Sequence, residues 1–167
     1  MIAFLLSAAL SANPSGSAIS PVAVQQMISR FSPRRTVNKL ANAFGSANTR
    51  TDLGNYDKVL DGIASGNGRW LALVPKIEGG TDAATAEALR IAVATALPKN
   101  PTAILRLITL EQSWRDACSY PMIEPTNQEA RAYFKIAIPA VIAVRNRALD
   151  RAKHMCLRDL VRAEKTP

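Results

Sequence analysis

Apolar residues recur along the chain at intervals of three and four, the spacing that stacks side chains on one face of an α-helix. Val24, Met27, Ile28 and Phe31 open the series just after Pro21. Ser32-Pro33 has the form of an N-cap followed by a first-turn proline, and Val37, Leu40, Ala41 and Phe44 make a second stripe that Gly45 is placed to end. A polar loop over residues 46–54 follows. Asn55 is then the expected cap of a helix carrying Tyr56, Val59, Leu60 and Ile63. Gly62, Gly66 and Gly68 surround the next turn. Asn67 is placed to cap a short helix with Trp70, Leu71, Val74 and Ile77, disturbed by Pro75.

Gly79-Gly80 interrupts the pattern, and Thr81 or Asp82 caps a helix running to about Leu97, with Ala86, Leu89, Ala92, Val93 and Ala96 as its apolar positions and Pro98 as its stop. Asn100-Pro101 opens another, carrying Ile104, Leu105, Ile108 and Leu110 toward Trp114. The stretch 118–125 holds two prolines and reads as irregular. Thr126 with Glu129 forms a capping box, in which each side chain satisfies an orphan amide of the helix start. Helical character then continues to about Val161, with Pro139 expected to kink or divide it. Ile142, Leu149 and Cys156 fall at seven-residue spacing, which points them at one core. No alternating pattern suggests a strand. The expectation is an all-α fold, an irregular bundle or right-angled array of about seven helices, and without a fixed-period repeat a solenoid is not established.

Composition agrees: 48% hydrophobic and 20% charged residues describe a globular chain, and only 5% aromatics favours close-packed helices over sheets. A length of 167 residues is one domain with material for a core. Residues 2–10 form an apolar run too short to span a bilayer, which needs roughly 20 apolar residues. Small-x-small patterns at Ala9-Leu10-Ser11 and Gly16-Ser17-Ala18 suit a cleavage point, whereas the basic residue that ordinarily precedes such a run is missing, since no charge precedes Arg30. Residues 1–18 are therefore expected to be a signal peptide with a flexible lead-in, and 19–167 a single helical domain. The alternative is an apolar leader on a cytosolic protein. Cys118 and Cys156 stand outside any Cys-x-x-Cys or Cys/His cluster. In an exported chain the pair reads as one structural disulfide, worth about 3–4 kcal/mol by loop entropy; two buried thiols are the other reading. A disulfide would tie the last helix to the end of the helix before the irregular stretch.

Trp70-Leu71, Gly80-Thr81-Asp82-Ala83, Glu87-Ala88-Leu89 and Ala96-Leu97-Pro98-Lys99-Asn100-Pro101 together form a pattern, joined by the paired cysteines and the ending Arg151 … Cys156-Leu157. The pattern resembles that of an uncharacterised group of small exported all-helical proteobacterial proteins and covers about two-thirds of the chain. These motifs are caps, stops and a disulfide. The resemblance implies fold and compartment and carries no activity across.

Charge adds the one functional lead. Lys and Arg number 21 against 13 Asp and Glu, a net +8, which biases encounters toward anionic partners. Arg30, Arg34, Arg35, Lys39 and Arg50 concentrate in the N-terminal third. Arg34 and Arg35 fall in the first turn of a helix, where the helix dipole disfavours positive charge, and a placement the helix resists hints at an external anion. A second group, Arg145, Arg147, Arg151, Lys153, Arg158 and Arg162, follows the last helix, and spacings of four and seven put Arg147, Arg151, Arg158 and Arg162 near one face. A merely solvated basic face is the plainer reading. Neither stacking aromatics nor a nucleic-acid motif accompanies the cations, so specific nucleic-acid binding is not expected.

Catalytic groups are sparse. His154 is the only histidine and lies in a basic setting that works against a cation site. Glu78, Asp82 and Glu87 gather near the Gly79-Gly80 turn, the one cluster that could do glycosidic acid–base work, although acids at a helix start are also what the dipole favours. Gly66-x-Gly68 lacks the preceding strand and the Lys-Ser/Thr partner of a phosphate loop. The expectation is an exported, periplasmic or secreted, non-enzymatic binding protein without metal or cofactor. It would present basic patches to an anionic protein, lipid or cell-wall surface, and could form a homo-oligomer. An inhibitor or immunity-type protein against a toxic or lytic enzyme is the alternative, and a wall hydrolase a third.

Overall fold

The computed structural model describes residues 19–41 and 54–165, and over these residues the chain is helical without a strand. The expected leader, Phe44, Gly45, Arg50 and most of the polar loop lie outside the described residues. In chain order come α1 (Pro21–Arg30), α2 (Pro33–Ala41), α3 (Asn55–Ala64), α4 (Gly68–Leu71), α5 (Val74–Glu78), α6 (Ala83–Ala96) and α7 (Pro101–Leu110). A 3-10 segment, Gln112–Cys118, leads on to α8 (Asn127–Ile142), and a second, Arg147–Leu149, feeds directly into α9 (Asp150–Lys165). Seven of these nine α-helices have nine residues or more.

Local chemistry sets most of the starts. Asp82 Oδ1 accepts from the Thr85 amide at 2.9 Å while Thr85 Oγ1 accepts from the Asp82 amide at 2.9 Å, closing a capping box on α6. Asn67 Oδ1 accepts from Arg69 N at the start of α4, and Asn100 Oδ1 from Ala103 N at the start of α7. Thr126 and Glu129 form the reciprocal cap expected of α8. Asn55 is a correction: it is the first residue of α3, and the N-cap is Gly54, which has no side chain to donate or accept. Residues 70–77 divide into two short helices, with Pro75 in the first turn of α5, where its missing N–H costs nothing.

Of the kink or division expected at Pro139, the division falls elsewhere. Pro139 lies within α8, which runs on to Ile142 before residues 143–146 turn the chain. Pro139 is on the exposed face, so the helix carbonyl that loses its partner can turn to water. This reversal takes Ile142 out of the core, leaving it 49% exposed, whereas Leu149 and Cys156 stay buried. Leu110 is likewise 76% exposed, and Leu107 fills the buried position of that stripe instead.

One apolar core runs from Val24 in α1 to Leu160 in α9. Helix α3 packs on α6, α8 on α9, and the first 3-10 segment wedges among α6, α7 and α9. Two phenols enter with their hydroxyls satisfied: Tyr56 donates to Thr85 O at 2.8 Å and Tyr133 to Ala94 O at 2.9 Å. Burial pushes both phenols up from the usual tyrosine range. Cys118 and Cys156 are joined, S–S 2.02 Å and Cα–Cα 5.2 Å, so the disulfide ties the end of the 3-10 segment to the middle of α9. Such a bond belongs to an oxidising compartment. No helix among the described residues is long and apolar enough to cross a membrane.

Candidate functional site

The basic residues fall on two separate surfaces. The first is the corner between α1 and α2. Arg34 and Arg35 occupy the first turn of α2 and Lys39 its last, and all three are exposed. Residues 19–41 contain no Asp or Glu at all. The Phe31 ring, half-buried at the corner, has Lys39 Nζ 4.9 Å and the Arg30 guanidinium 5.6 Å from its centroid, contacts in which the ring's electron-rich face attracts the cations. Lys76 of α5 reaches the same corner and donates to Gln25 Oε1 at 2.7 Å. Gly80 holds the corner in place from below. A Cβ at that position would collide with the Pro33 carbonyl, so only glycine lets the α5–α6 turn lie against the start of α2.

The second surface belongs to α9. Arg151, Arg158 and Arg162 are exposed there, and at 100° per residue they fall within about 40° of arc on one stripe. Arg147 is exposed as well but sits on the 3-10 turn before the helix rather than in the stripe. Lys153 serves the fold: its ammonium donates to Ile142 O at 2.6 Å and Val144 O at 2.9 Å, satisfying carbonyls where α8 ends. Arg115 is also committed, in a bidentate pair with Asp159 whose shortest contact is 2.7 Å. Sequence reasoning missed both roles, because one bond spans 9 and 11 residues and the other 44.

The three acidic candidates have different neighbours. Asp82 caps α6 through its Oδ1, and the hydrogen bonds from Thr85 hold its carboxyl below the usual aspartate range. Glu87 lies on another depression beside Arg90 and Asp116. The carboxylate that bears on Glu78 is Glu111, at the end of α7. Burial first, and then the Glu111 charge, push the Glu78 carboxyl up, while Arg90 and the Trp114 indole oppose the shift. Trp114 is 3% exposed, and its Nε1 lacks a hydrogen-bond partner of good geometry. Among the described residues no three His, Cys, Asp or Glu gather in a form that could hold a metal, and His154 is exposed on α9.

A cleft of about 750 Å³ lies between the 3-10 segment and α9, walled by Gln112, Ser113, Asp116 and Ser119 on one side and by Asp159 and Arg162 on the other. Gln112 also lines a smaller depression that reaches Arg151 and Met155. Asp116 and Ser119 also line a third, which extends to Glu87 and Arg90 of α6. The class of molecule this defines, over the described residues, is an all-helical domain with one disulfide and charged surface features. No family model, no curated protein and no solved structure matches the chain.

Proposed function

We propose that the protein is an exported, periplasmic or secreted, non-enzymatic binding protein that holds an anionic partner on the α1–α2 corner. The observation that carries this reading is the one-sided charge of residues 19–41, where Arg30, Arg34, Arg35 and Lys39 stand without a single carboxylate among them. Two of those cations occupy the helix start that disfavours them. A rigid backbone beneath them, set by the Pro33–Gly80 contact, keeps the cations together without a partner and so lowers the ordering cost when one arrives. The disulfide supports the compartment.

The test uses the full oxidised chain against three probes: phosphatidylglycerol-containing vesicles, isolated cell-wall polymer, and periplasmic extract. The expected result is retention by at least one of them. Retention should weaken as salt rises, because exposed charges are screened over about 8 Å at physiological ionic strength. Combining Arg34→Glu, Arg35→Glu and Lys39→Glu should lower it at least tenfold with melting unchanged. Retention indifferent to those three changes, or none by any probe, overturns the reading. A single enzyme held one-to-one at high salt would replace it with the inhibitor reading. Wall fragments released by the purified chain, and lost on Glu78→Gln, would replace it with the hydrolase.

A further inference from the structure

The cleft adjoins both smaller depressions through shared walls, Gln112 on the side that reaches Arg151 and Asp116 with Ser119 on the side that reaches Arg90. The shape is an open track rather than a chamber. Its spine is the 3-10 segment Gln112–Cys118, about 14 Å long at roughly 2 Å per residue, room for about four residues of extended chain, and residues 119–122 lengthen it. Serine, glutamine and aspartate side chains along the spine offer donors and acceptors of the kind that main-chain amides satisfy. The α9 end is flanked by Arg151, whereas Asp159 is paired with Arg115.

Rigidity matters as much as shape. The spine is fixed to α9 covalently at Cys118–Cys156 and ionically at Arg115–Asp159, one turn of α9 apart. A track held at two points does not need to form on binding, and a preformed concave surface spares the entropy of ordering its own walls.

From this geometry we infer that the track along the 3-10 segment and α9 binds an extended peptide segment of another protein, with an acidic residue placed toward Arg151. The surface is distinct from the α1–α2 corner, and the inference stands without the function proposed above.

The experiment screens a displayed heptapeptide library on the full oxidised chain, then measures the enriched peptides as free labelled ligands. Enriched sequences should share an Asp or Glu. Ser113→Tyr, which fills the cleft from an exposed position, should weaken binding at least tenfold, and so should Arg151→Glu. Amide shifts on titration should concentrate at residues 112–122. Arg34→Glu with Arg35→Glu should leave peptide affinity within a factor of two, so loss of one surface is read separately from loss of the other. Melting curves confirm that each variant folds, and if Ser113→Tyr does not, Arg151→Glu and the amide shifts decide. No enrichment above background, binding unchanged in Arg151→Glu, or shifts centred on α1 and α2 would overturn the inference.

Discussion

Replacing Cys118 and Cys156 together by alanine removes a cross-link between residues 38 positions apart. Loop closure of that length withholds about 13 cal/mol/K from the unfolded ensemble, so the bond stabilises the fold by about 4 kcal/mol at 25 °C. In a chain of this size each kcal/mol moves the melting temperature by about 2–4 °C. Loss of the bond should therefore lower it by about 8–16 °C. Both cysteines are at most 1% exposed, so alanine also leaves small voids, and the double variant should melt somewhat below the reduced wild type, which keeps its sulfur volume. Thermal and urea unfolding of three samples, oxidised wild type, reduced wild type and the double-alanine chain, separates the two effects. The urea slope should steepen without the bond, because a freed unfolded chain exposes more surface. Oxidised and reduced wild type melting within about 2 °C of each other would refute the reasoning.

Further outcomes test other parts of the structure. Leu89→Ala, at a fully buried position of α6, should cost about 2–5 kcal/mol in chemical denaturation; a neutral result would mean that the α6 register is wrong. Gly80→Ala should destabilise by about 1–3 kcal/mol and loosen anion retention at the α1–α2 corner, because the new methyl meets Pro33 backbone; undiminished stability would show that the contact is soft. Glu111→Gln tests the acidic pair. With its folded pKa raised, Glu78 binds a proton more readily in the folded state, so its contribution to stability is lost as pH rises through that value. Removing the Glu111 charge should thus stabilise the protein more at neutral than at acid pH, and a gain equal at both would contradict the pairing.

Helix starts were legible in the sequence because a cap is settled within four residues: Asp82, Asn100 and Thr126 each meet their amide partners three positions on. The disulfide was legible from two cysteines and the compartment implied by the leader. The turn after Ile142 was not, since neither glycine nor proline marks residues 143–146. The visible breaker, Pro139, sits where water can serve the orphaned carbonyl. Asn146 was the available signal, because its side chain accepts from Ala148 N to start the next segment. Candidate chemistry fared unevenly for the same reason. Exposure of Arg34, Arg35 and Lys39 followed from helical spacing, but the polar track depends on Arg115 meeting Asp159 and on Gln112 lying opposite α9, which no local pattern encodes.

Lys153, Cys156 and Asp159 fasten α9 to the rest of the molecule at every third residue, and the three attachments differ in kind: an ammonium on carbonyls, a covalent bond and an ion pair. Each has its own solvent: a reductant cuts the second, while concentrated salt or strong acid weakens the third. No single insult releases them all. Helix α9 should accordingly be among the last elements to detach in hydrogen exchange and should resist nicking by proteases.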